Sequence, residues 1–118
     1  MKHTIDLLDT RTLSILSNGI YAKLAEIYKE DTNGFSARDR ASRTVSIEQN
    51  YLVLAQLNVQ NEMYAIKEYS HTQIELKLAK AKLATAKIEV ELAVSNLDVA
   101  LEALQEARKV IVIPHAEA

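Results

Sequence analysis

His71 and Glu75 stand four residues apart, so a helix would set both on one face, the geometry of half a metal site. The other ligands have no matching position, because His3 and His115 lie near the two ends of the chain. Paired carboxylates for acid–base work are no better placed: Glu89 and Glu91 are two residues apart and project from different sides of a helix. The absence of cysteine removes thiolate nucleophiles, disulfides and cysteine metal sites. No glycine-rich phosphate loop and no G-x-S-x-G turn occurs. Arg38, Arg40 and Arg43 form one basic cluster that could grip a phosphate or an acidic protein surface. Asp39, four residues before Arg43, also suits an ordinary i,i+4 ion pair at a solvated helix start. These residues imply no catalytic centre, no cofactor and no metal, and the expectation is a non-enzymatic protein.

The sharpest chemical signal is a segregation of charge. Between residues 76 and 88 the charges are Lys77, Lys80, Lys82 and Lys87, with no acid. Between 89 and 107 they are Glu89, Glu91, Asp98, Glu102 and Glu106, with no base. Within one helix this order opposes the macrodipole, which favours acids first and bases last. Between helices it makes better sense. An antiparallel copy crossing near residue 88 brings Lys87 towards Glu89 and Lys77 towards Asp98. A parallel copy displaced by about 16 residues, roughly 24 Å, also matches bases to acids. Another helix of the same chain, or a plain solvated face, would serve the pattern too.

The elements that position these charges follow from the near-absence of breakers. Residues 35–113 contain neither glycine nor proline, and the whole chain has one proline and two glycines. Such a stretch reads as very long helix. The fold class expected is all-α: an N-terminal helix folded back on a long helical rod, either a hairpin or an elongated three-helix bundle with coiled-coil-like packing. The 118 residues form one unit without a linker. A first helix is expected over 4–29, with Ile5, Leu8, Leu13, Leu16, Ile20, Leu24 and Ile27 on one face and Asp6 and Asp9 near its positive end. Gly19 in its middle marks either a close approach by a neighbour or a tolerated glycine. Asp31, Thr32, Asn33 and Gly34 supply a turn, and Ser36 with Asp39 forms a capping box opening a second helix over 37–69. Thr72 and Glu75 form another box, opening a third helix over 73–109. Without glycine or proline at 70–72 the last two helices could also run on as one rod of about 110 Å. A strand reading of 74–78 and 87–92, where apolar and polar residues alternate, lacks any turn between the two segments. The β-branched residues 110–113 before Pro114 would extend the helix or form an edge strand or hook.

The third stretch carries two apolar stripes. Leu76, Ala79, Leu83, Ala86, Val90, Val94, Leu97, Leu101 and Leu104 make a seam with a stutter between Val90 and Val94. Ile74, Leu78, Ala81, Ile88, Leu92 and Val99 make a second. Two stripes imply two neighbours, one of them a partner chain, or a wide face in a compact bundle. The second stretch instead bears an amide-rich face of Gln49, Asn50, Gln56, Asn58, Gln60 and Asn61, suited to interhelical networks or to cover by other protein.

A net charge of −2 without a basic excess argues against nucleic-acid binding. No transmembrane stretch or signal-peptide h-region is visible, so cytoplasmic synthesis is expected, with the final location open, a virion or secreted assembly included. The hairpin size is similar to that of small secreted WXG-type proteins, and Tyr64 and Glu68 fit their Y-x-x-x-[DE] tail; the W-x-G turn is absent, so no family is assigned. The function expected is a structural subunit that binds itself, and other proteins of a larger assembly, through long helices into a ring or filament, as small virion, tail or secretion-apparatus subunits do in shape. The interface residues expected are Lys77, Lys80, Lys82, Lys87, Glu89, Glu91, Asp98 and Glu102, with Leu83, Val90, Val94, Leu97, Leu101 and Leu104. The alternatives are a helical adaptor or inhibitor of another protein, and a membrane-inserting channel component built on residues 44–66.

Overall fold

A computed structural model describes residues 8–69 and 71–116 and places them in three helices: α1 (Thr10–Lys29), α2 (Ala37–Tyr69) and α3 (Gln73–Ala116). The all-α class is therefore realised, and both segments with strand-like alternation lie inside α3. α1 packs on α2 and α2 on α3. The molecule measures 71 × 33 × 25 Å. A rod of about 110 Å does not form, because the chain reverses between Tyr69 and Gln73.

Local hydrogen bonds explain where each helix begins. Asp9 caps α1, its carboxylate accepting from the Thr12 amide at 2.7 Å. That bond, then one from the Thr12 side chain, holds the Asp9 carboxyl below its ordinary pKa. α1 thus starts at Thr10 and not near residue 4; Leu8 and Asp9 precede it, while Ile5 and Asp6 lie outside the described residues. Ser36 and Asp39 cap α2 reciprocally: the Asp39 amide donates to Ser36 Oγ at 3.1 Å, and the Ser36 amide to Asp39 Oδ2 at 3.2 Å. At α3 the Glu75 amide donates to Thr72 Oγ1 at 3.1 Å, but the Glu75 carboxylate reaches back to the His71 amide at 3.3 Å, one residue before the cap. The loop before α2 needs no left-handed residue at Gly34. It is closed instead by the Phe35 amide donating to the Thr32 carbonyl and the Asn33 amide to Asp31 Oδ1. α3 runs through Pro114 to Ala116, past the expected end at 109. Proline so near the C-terminal end of a helix costs one of its last backbone bonds without breaking the elements before it.

α1 turns Leu13 and Leu24 inward, at 1% and 5% exposure. Leu16 falls off this face, and Ser17 occupies the half-buried position between Leu13 and Ile20. Side-chain ties join α1 to α2: the Leu8 amide donates to Gln60 Oε1, and the Tyr28 and Tyr51 hydroxyls lie 2.9 Å apart. The hydrogen bond it makes with Tyr28, which favours the protonated phenol, is the main reason the Tyr51 hydroxyl is pushed up from its ordinary pKa. Gly19 marks no close approach, since a Cβ built there meets nothing within 4 Å. Gly19→Ala is therefore expected to stabilise the fold by about 0.5–1 kcal/mol through backbone entropy, read as a rise in the urea midpoint. A fall in that midpoint would mean that the site is not open.

The α2–α3 pair is built on alanine. Ala86, Ala93 and Ala100 are 2%, 8% and 4% exposed, seven residues apart, and Leu104 is 8% exposed. Val45 of α2 packs with Ala100 and Leu104, with Ala41 and Leu97 at the margin of the same cluster. The seam is thus Leu76, Ala79, Leu83, Ala86, Val90, Ala93, Leu97, Ala100, Leu104, an uninterrupted alternation of threes and fours. The stutter is not there: Val94 and Leu101 are 42% and 39% exposed, and Ala93 and Ala100 replace them. The small Cβ at every seventh position lets the backbone of α2 come close, as small residues do wherever helices pack tightly.

Candidate functional site

With the alanine seam committed to α2, the second stripe of α3 is left outside. Ile74, Leu78, Ile88, Leu92 and Val99 are 82%, 56%, 63%, 60% and 66% exposed. Ala81, Thr85 and Ser95 complete the row and are exposed too. Their spacing, 74-78-81-85-88-92-95-99, is a strict heptad seam set apart from the α2-facing one, with Ala81 and Thr85 also lining a cleft beside Asn58 and Glu62 of α2. Thr85 bonds its own helix, Oγ1 to the Ala81 carbonyl at 3.2 Å, so its hydroxyl asks for no partner across the face. Ile74, Lys77, Leu78 and Ala81 line a shallow groove at the start of the row.

The charged residues expected at the interface, Lys77, Lys80, Lys82, Lys87, Glu89, Glu91, Asp98 and Glu102, are all exposed on α3. None joins an ion pair among the described residues, where the pairs formed are Arg43–Glu30 and Lys109–Glu106. Pairing of these charges with another helix of the same chain is therefore not seen. The expected apolar partners divide: Leu83, Val90 and Leu97 are half-buried and Leu104 buried in the alanine seam, leaving Val94 and Leu101 exposed.

The arginine cluster does not assemble into an anion site. Arg43 lies between α1 and α2, donating from Nη2 to the Ile27 carbonyl at 3.1 Å and standing 5.7 Å over the Tyr28 ring. Its Nε is 3.9 Å from Glu30, and Asp39, which caps α2, lines the same cleft. Two carboxylates there oppose a phosphate, and Arg43 serves instead as a tie at the C-terminal end of α1. The expected Asp39–Arg43 pair gives way to these contacts, while Arg38 and Arg40 stay exposed. His71 and Glu75 meet through backbone capping, and among the described residues no group of three potential ligands converges. The amides of α2 also disperse: Asn50 donates to the Ser46 carbonyl of its own helix and Gln60 accepts from Leu8. Among the described residues no helix is long and apolar enough to cross a membrane. No family model, curated protein or solved structure matches this chain.

Proposed function

We propose that this chain is a non-enzymatic structural subunit that self-associates through α3 into a ring, filament or other multi-copy assembly, of the kind that virions, tails and secretion machines use. The observation that carries the reading is the row Ile74, Leu78, Ile88, Leu92 and Val99, each more than half exposed in an isolated chain. A largely apolar stripe at coiled-coil spacing, broken only by Thr85 and Ser95 and rimmed by charges, suits contact with another helix. The exposed bases and acids beside it give that association its partner selectivity and a dependence on salt.

Light-scattering mass of the purified chain at low and high salt tests the reading. A defined multimer that loosens as salt rises is expected. Changing Lys77, Lys80, Lys82 and Lys87 together to glutamate should lower that mass towards 13.2 kDa. An unchanged mass after the fourfold reversal would remove charge pairing from the mechanism. A monomer of 13.2 kDa at both salts overturns self-association and favours an adaptor whose α3 face binds a different protein.

A further inference from the structure

We infer that the outer stripe of α3 is a self-complementary surface whose occupant is α3 of a second copy, lying antiparallel with the twofold axis between Ala86 and Lys87. This deepens the self-association reading above and rests on it, narrowing what this face builds to a closed pair; a ring or filament then needs a second contact elsewhere. The argument begins with where the stripe ends. It starts at Ile74, in the first turn of α3, and stops at Val99, because the next two heptad positions are Glu102 and Glu106. One antiparallel register covers both ends at once. It sets Ile74 against Val99 of the second copy, Leu78 against Ser95, Ala81 against Leu92 and Thr85 against Ile88, each layer occurring twice by symmetry.

The same register then places the flanking charges, with no further choice. The positions bordering the stripe on one side are Lys77, Ala84, Glu91 and Asp98; on the other they are Glu75, Lys82, Glu89 and Asn96. In an antiparallel pair each border meets its own copy. Lys77 then faces Asp98 of the second copy, Lys82 faces Glu89, Ala84 faces Glu91 and Glu75 faces Asn96. Two opposite-charge pairs form, each twice, and no like charges meet. A parallel in-register pair joins the two borders instead and sets Lys77 against Lys82 of its neighbour, twice, with no attractive pair in return. These residues are exposed, and on the Lys82–Glu89 border the second copy also comes beside Asn58 and Glu62 of α2, which line the same cleft.

Lys77→Asp, Asp98→Lys and the double swap Lys77→Asp/Asp98→Lys test the register by sedimentation equilibrium at low salt, with helicity followed by circular dichroism. Each single change should weaken self-association roughly tenfold, and the double swap should restore it, all at unchanged helicity. Nitroxide labels on cysteines placed at Ala84 or Ala103 fix direction, since the chain has no cysteine of its own. The antiparallel pair predicts a short distance at position 84 and about 50 Å at position 103. Short distances at both, or roughly 24 Å at both, would leave self-association standing and overturn the antiparallel register in favour of parallel or staggered copies. A double swap that fails to restore the weakened single changes overturns it as well. A monomeric wild-type chain overturns this inference and the self-association reading together.

Discussion

Ala86→Leu is expected to destabilise the fold by about 1–3 kcal/mol, more than most single substitutions outside a core. Ala86 is 2% exposed at the middle of the α2–α3 seam, with Ala93 and Ala100 one and two heptads on. A leucine there adds three heavy atoms where the seam has allotted one methyl group, so α2 must move outward or the new side chain must leave its rotamer. Moving α2 outward also loosens Val45 against Ala100 and Leu104 farther along the same helix pair. The measurement is urea unfolding: the midpoint falls while the slope stays that of wild type, because the same surface is exposed on unfolding. Ala84→Leu is the control. Ala84 is exposed, and leucine is nearly as good a helix former as alanine, so its effect on monomer stability should stay within about 0.5 kcal/mol. Equal effects at positions 84 and 86 would contradict the close α2–α3 seam.

Leu13→Ala should cost about 2–5 kcal/mol, the range for emptying a fully enclosed leucine site. At 1% exposure Leu13 is the most enclosed large side chain among the described residues, and Leu24 is the other buried residue of α1. The loss should also be local. α1 packs on α2 with two buried leucines, a few side-chain hydrogen bonds and the Arg43 contacts, whereas α2 and α3 share the long alanine seam. Amide exchange in α1 should therefore speed up far more than in the middle of α3, as expected of the less stable unit in a fold of uneven stability. Uniform acceleration across all three helices would show instead that α1 is integral to the hairpin. A change below about 1 kcal/mol would contradict the enclosure of Leu13.

The covered and uncovered faces of α3 bear on function as well as stability. Each heptad of α3 spends two positions on α2 and leaves two more exposed, so one helix can be half of a hairpin and still present a second row to the outside. Polar residues at Ile74, Leu78, Ile88, Leu92 and Val99 would leave the packing of α2 on α3 undisturbed, since all five are exposed.

Much of this fold was legible from short-range pattern. The absence of glycine and proline over residues 35–113 implied helix, and Ser36 with Asp39 and Thr72 with Glu75 located two helix starts to the residue. Those features could be read because a capping bond spans three or four residues and depends on nothing remote. The split of bases and acids along α3 was equally plain, as was the presence of two apolar stripes. Tertiary structure alone decided which stripe faces α2. Val94 and Leu101 are larger and more apolar than Ala93 and Ala100, so a reading by hydrophobicity prefers them and finds a stutter. What selects the alanines is how closely two backbones can approach, a property of the helix pair and not of either helix. The start of α1 was hidden for a related reason: Asp6 and Asp9 are both able caps, and the choice of Asp9 accompanies the docking of Leu8 onto Gln60, 52 residues away. Arg43 likewise looked like a partner for Asp39 four residues earlier, until α1 brought Glu30, Tyr28 and the Ile27 carbonyl to it. Local bonds chose where the helices begin; the fit between helix faces chose which side of α3 is covered by α2 and which stays exposed.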